Sequence, residues 1–170
     1  MGTPTEIAIR RADTGDAVEI AALLAEAFAE YRSLYTDAGY AATVIANSQV
    51  SARIKEGPVW VATRDASVIG TVSVLPKDKS LYLRGMAVLP SARGQRIGEM
   101  LLRCVEEFAA SRGFSRLQLS TTPFLNRAIR LYQACGFRRT DEPPHELFGT
   151  PLFSMEKFLR SDARAQSPQA

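Results

Sequence analysis

The spacing of apolar residues divides this chain into short segments of two alternating kinds. Glu6-Ile7-Ala8-Ile9-Arg10 alternates polar and apolar positions and predicts a first strand. Asp13 or Thr14 can cap the helix that follows, whose apolar positions Val18, Ile20, Ala21, Leu24 and Phe28 recur at roughly helical spacing. A second helix is predicted between Ala41 and Ile54, stopped by Gly57-Pro58. Three strands then come in quick succession: Val59 to Thr63, Val68 to Leu75, and Leu81 to Leu89. Gly85 interrupts the third, and a glycine inside a strand often marks a bulge or a close backbone approach.

After Pro90 the period lengthens from two to about 3.6. Ile97, Met100, Leu101, Cys104, Val105 and Phe108 share one helical face, and Ser111-Arg112-Gly113 ends that helix. Arg116 to Ser120 is a short strand. The next helix carries Leu125, Ala128, Ile129, Tyr132 and Cys135 on one face and stops at Gly136. Phe137 to Thr140 and Pro151 to Phe158 form a final antiparallel pair joined by a polar loop. The order βααβββαβαββ predicts an α/β fold, with helices on both faces of a mixed sheet of about seven strands. A single domain over 1–160 and a disordered tail over 161–170 are expected.

Composition changes this picture little. Of 170 residues, 46% are hydrophobic and 23% charged, which suits an ordinary globular domain. No apolar run reaches the roughly 18 residues of a membrane span. The start, Met1 to Glu6, lacks the apolar stretch of a signal peptide, and Glu6 excludes a myristoylation signal. Cys104 and Cys135 have no partner at metal-ligand spacing and are expected to be small buried hydrophobes in a reducing cytosol. A cytoplasmic protein without a metal is therefore expected. The net charge of +3 suits an anionic ligand, but the basic residues form no run and have no interleaved aromatics, which argues against nucleic acid.

The chemistry concentrates in two segments. Arg93-Gly94-Gln95-Arg96-Ile97-Gly98 joins a strand to an amphipathic helix. Helix-start N–H groups have no internal partners and the dipole adds positive character, so a pyrophosphate can be held there. Gly94 and Gly98 keep the approach open, and Arg93 and Arg96 add charge. Capping and solvation of a helix start would use the same residues. No GxxxxGK[ST] is present, and no GxGxxG follows a strand. The second segment, Asn126-Arg127-Ala128-Ile129-Arg130-Leu131-Tyr132-Gln133-Ala134-Cys135-Gly136-Phe137, starts a helix and ends it at a glycine. Asn126 also suits a plain helix start, and Tyr132 a plain core aromatic.

An arginine-glycine helix start followed about thirty residues later by N-x-A-x-x-L-Y-x-x-x-G-F resembles the two core motifs of the GNAT superfamily of acetyl-coenzyme A-dependent N-acetyltransferases. The likeness runs over Leu81 to Phe137. It departs from the family's Q/R-x-x-G-x-G/A loop at Arg96, which stands where the middle glycine is usual. The resemblance implies a GNAT-like fold and acetyl-CoA as cosubstrate. It also implies a bulge at Gly85 and a strand that splays to expose backbone at Met86, Ala87 and Val88 to the pantetheine arm. In the same way it makes Asn126 a contact near the splay and Tyr132 the group that protonates the departing sulfur. The implied reaction is direct attack by a primary amine of a small molecule or peptide in a ternary complex. A non-catalytic acyl-CoA-binding module is the alternative, because no base is evident: Asp78 suits a turn, and His145, the only histidine, sits in a polar loop. The acidic residues of that loop, Asp141, Glu142 and Glu146, offer attraction for a cationic amine. Tyr31, Tyr35 and Tyr40 are further candidates for an acceptor pocket, and a homodimer is compatible with the sequence.

Overall fold

In the computed structural model, which describes residues 6–160, eight strands and five α-helices form three layers. The order is β1 (Ala8–Arg11), α1 (Ala17–Phe28), α2 (Asp37–Thr43), α3 (Asn47–Glu56), β2 (Val59–Arg64), β3 (Ser67–Lys77), β4 (Ser80–Val88), α4 (Ile97–Ser111), β5 (Arg116–Thr121), α5 (Asn126–Ala134), β6 (Arg138–Arg139), β7 (His145–Leu147) and β8 (Thr150–Phe158). Short 3-10 turns precede α1, follow it and precede α4. The sheet runs β1-β2-β3-β4-β5-β8-β6, with β7 on β8, and only β4 and β5 pair in parallel. Met1 to Thr5 and the tail over 161–170 lie outside the described residues.

One face of the sheet packs on α4 and α5 through Leu101, Leu102, Val105, Leu117 and Leu119, all at most 2% exposed. The other face packs on α1 and α3 through Ile20, Leu23, Leu24 and Val50. The 3.6-residue period of α4 follows from this burial, because its stripe of large side chains has no other route out of water. Both cysteines are half-buried at the α4/α5 core and unpaired; burial, the larger effect, raises their thiol pKa values.

Two expectations need correction. The single helix predicted between Ala41 and Ile54 is two, broken at Val44–Ala46. Thr36 caps the first, its hydroxyl accepting from the Gly39 N–H at 2.9 Å. The Gln49 side chain accepts from the Ala46 N–H at 3.0 Å at the start of the second. The polar loop after β6 contains the eighth strand, β7. It turns into β8 through Phe148 and Gly149, whose φ values of 48° and 89° suit a two-residue hairpin.

Strand β4 carries the feature that matters most for the site. Thr71 pairs with Ala87 and Ser73 with Arg84, so Gly85 and Met86 together oppose Val72. Gly85 has φ +62°, the conformation of the first residue of a glycine bulge. The bulge reverses which residues face which layer. Leu81 and Leu83 point to the α4/α5 core, yet beyond the bulge Ala87 joins the α1/α3 core while Met86 and Val88 pack towards α4.

Candidate active site

The parallel pairing of β4 with β5 stops at Leu83–Leu119, although β4 continues to Val88 and β5 to Thr121. Beyond that point the two strands no longer pair, and α5 starts below the gap. On the other side of β4 the Leu89 N–H donates to Ile69 of β3 at 2.9 Å. Successive backbone N–H groups point to opposite sides of a strand, so those of Val88 and Met86 face the splay.

A cleft of about 600 Å³ occupies the splay. Met86, Ala87 and Val88 form its middle, and Arg93, Gly94, Arg96, Ile97 and Gly98 one end. Tyr132 also lines it. Gln95 and Asn126 do not. Gln95 is exposed and its side-chain oxygen accepts from Arg64. Asn126 is the first residue of α5 and points to solvent, whereas Leu125, Arg127 and Ala128 contribute to the wall.

The loop from Arg93 to Gly98, the candidate phosphate loop, has an unusual backbone. Arg96 is the residue before α4 and has φ 61° and ψ 23°, left-handed values that favour glycine. The chain thus keeps the glycine-like conformation at this position while carrying a guanidinium there. The first helical N–H groups, those of Ile97, Gly98 and Glu99, are left without intrahelical acceptors. Gly94 has φ +81° and open space where a Cβ would stand. Gly98 differs: a Cβ there would come within 2.6 Å of the Leu131 side chain, so this glycine lets α4 and α5 pack closely.

Arg96→Gly separates the two roles of the residue. Relief of the left-handed penalty (about 1–2 kcal/mol) exceeds glycine's extra unfolded-state entropy (about 0.5–1 kcal/mol), so thermal unfolding is expected about 2 °C higher. Coenzyme A affinity, measured by calorimetry, should fall several-fold from the lost charge.

Arg93 is ion-paired with Glu30, which also lies 3.9 Å from Arg127. Arg127 is a third cation at this end of the cleft that the sequence pattern did not single out.

Tyr132 is 8% exposed, with its ring 5.7 Å from that of Phe137. Burial, and then the neighbouring Tyr35 and Tyr82, hold its hydroxyl pKa well above the usual tyrosine range, with no hydrogen bond contributing. It therefore stays protonated wherever the protein is folded near neutral pH. Beyond it the cleft is walled by Phe28, Tyr31, Tyr35 and Tyr82, with Thr43 and Arg53. Burial also raises the Tyr35 pKa, partly offset by the nearby Thr122 and Thr43 hydroxyls.

None of Asp78, Asp141, Glu142, Glu146 or His145 lines this cleft. His145 lies on β7 with Nε2 3.3 Å from the Ser120 Oγ, in an adjoining depression that shares Tyr82, Leu119 and Ser120 with the cleft and also includes Glu142. Tyr40 packs edge-on against Tyr35, outside the cleft. Among the described residues, no group of three or more His, Cys, Asp or Glu is placed to hold a metal, and no helix is long and apolar enough to cross a membrane.

The bulged and splayed β4, the phosphate loop and the α5 tyrosine are the arrangement of one acyltransferase superfamily, and comparison with known proteins agrees. Residues 20–137 match the model of the acetyltransferase (GNAT) family, and the chain belongs to that family. Human N-acetyltransferase 8B is 38% identical over 89 residues, a match covering 49% of this chain and 39% of that protein. The matched part is thus about two fifths of that relative's length. Among solved structures, the PaiA N-acetyltransferase of Thermoplasma acidophilum in complex with coenzyme A aligns with a TM-score of 0.79 at 18% identity, covering 91% of this chain and 99% of that one. The ribosomal-protein-alanine N-acetyltransferase of Brucella melitensis aligns with a TM-score of 0.69 at 25% identity, covering 89% and 99%. These likenesses extend the family's fold across nearly the whole described chain.

Proposed function

We propose that this chain transfers the acetyl group of acetyl-CoA to a primary amine of a small molecule or peptide, with both substrates held together in the cleft. One observation carries the reading: a single cleft runs from the phosphate loop, along the unpaired stretch of β4, to the buried Tyr132. Arg93, Arg96 and Arg127, with the free N–H groups of α4, suit the pyrophosphate. The splayed backbone at Met86 and Val88 suits the amides of the pantetheine arm. Gln95 and Asn126 have a smaller part in this reading, since both sit outside the cleft.

In the reaction, the amine nitrogen forms the new C–N bond to the acetyl carbon while the C–S bond breaks. The Val88 N–H faces the place where negative charge gathers on the acetyl oxygen, and such a preset donor is worth about 2.7–4 kcal/mol. Tyr132 supplies a proton to the departing sulfur and recovers one from water. The proton lost by the amine goes to water in the cleft, because no carboxylate or imidazole among the described residues lines its acceptor end.

Thiol release from acetyl-CoA in the presence of a broad amine panel tests the proposal. Release that depends on the amine is expected. Tight coenzyme A binding without any turnover would favour the alternative, a non-catalytic acyl-CoA-binding module.

A further inference from the structure

The acceptor end of the cleft holds a cation that acetyl-CoA does not account for. Arg53, in the last turn of α3, reaches across to the β4 bulge, where its Nη1 lies 2.8 Å from the point a Cβ would occupy on Gly85. It is half-buried, and no ion pair or hydrogen bond to a described residue serves its guanidinium. Burial, the largest influence, and the neighbouring Arg84 both lower its pKa, while Glu56 and Tyr82 act the other way. The nearby carboxylate, Glu56, is already taken by Arg84 at 2.6 Å, and the Arg84 Nε is itself buried without a partner. One carboxylate thus stands near two guanidinium groups and pairs with only one of them.

Among the described residues, Glu99 is the only acidic one lining the cleft, and it sits beside Gly98 at the start of α4. A guanidinium cannot shed its proton to escape burial, so an unpaired one in a cleft calls for an anionic ligand.

From these contacts, and resting on the acetyltransferase reading above, we infer that the acceptor is an amine that also bears a carboxylate, which Arg53 holds. Three residue steps of strand lead from Gly85 to Val88, a span of about 10 Å. The carboxylate therefore lies within that distance of the reacting nitrogen, as in an α-amino acid or a short ω-amino acid. Tyr82, Arg53 and Tyr132 line the same cleft, which lets one small molecule reach both ends. The wall of Phe28, Tyr31 and Tyr35 takes an apolar side chain. The acidic loop residues, by contrast, do not line the cleft.

The test compares matched acceptors: phenylalanine with 2-phenylethylamine, and 4-aminobutyrate with butylamine. A charge-assisted hydrogen bond predicts that kcat/KM favours the carboxylate member of at least one pair by about 10- to 100-fold. Arg53→Gln should erase the preference, and Arg53→Lys should keep part of it, with coenzyme A affinity unchanged in both. Amine turnover with no such preference, or an equal loss for both members in Arg53→Gln, overturns this inference and leaves the acetyltransferase reading intact. Absence of turnover with every amine overturns the acetyltransferase reading instead. Calorimetry with N-acetylphenylalanine on the coenzyme A-loaded protein then decides the anion site. A tenfold or larger loss of affinity in Arg53→Gln supports it, and unchanged or undetectable binding overturns it.

Discussion

Replacing Tyr132 with phenylalanine is expected to lower kcat by about 10²- to 10⁴-fold, the usual worth of a positioned general acid. Coenzyme A affinity should stay within about twofold. Folding stability should change by no more than about 0.5 kcal/mol, because the hydroxyl contributes no hydrogen bond to the protein. This separation is what makes the variant informative. A tyrosine that merely fills the core would show no rate effect on loss of its hydroxyl. A hydroxyl that held the fold together would lower activity, affinity and unfolding temperature at once. Stopped-flow acetyl transfer, calorimetry and a thermal melt read the three quantities independently.

The second large effect is on pH dependence. An alkylamine with pKa about 10.4 is almost wholly protonated at pH 7, and its reactive fraction grows tenfold per unit. With no titrating base lining the acceptor end, kcat/KM for such an acceptor should rise about 100-fold between pH 7 and pH 9 without a plateau. No falling limb should follow below about pH 10. Burial raises the Tyr132 pKa, so its protonated form, which is the active one, persists through the ordinary tyrosine range. A plateau within that range that His145→Gln abolishes would contradict this and make the imidazole the base.

The two segments that identified the family were also the ones whose local physics is strongest. Helix α4 repeats its apolar period over four turns, and α5 ends at Gly136, whose φ of +95° explains why that residue terminates it. Gly85 was legible as a bulge because a glycine in the middle of a strand often marks one. The α2/α3 break was hidden because Val44-Ile45-Ala46 contains neither glycine nor proline. The chain restarts as α3 on a bond from Ala46 to Gln49, a residue type that suits any helix interior. Strand β7 was hidden because its pairing with β8 depends on a Phe-Gly turn rather than on the more familiar Asn-Gly. Arg53 gave no signal at all. On α3 it is one basic residue on a polar stretch, and only the approach of that helix to the bulge gives it a role. Arg127 was similarly silent until α5 was set beside the phosphate loop. Arg96 shows the reverse case, where the residue type departs from the pattern and the backbone conformation does not.

The bulge at Gly85 also sets which changes this gene can tolerate. Because the extra residue reverses the in-out alternation of β4, the strand has a phase, and positions before and after Gly85 are half a period apart. A substitution within Leu81 to Val88 disturbs one side chain. Loss or gain of one codon there would act like a frameshift of the strand, turning Val88 towards the α1/α3 layer and Ala87 towards α4. Length variation in this strand should therefore be confined to paired, two-codon events, even where the amino acids themselves drift.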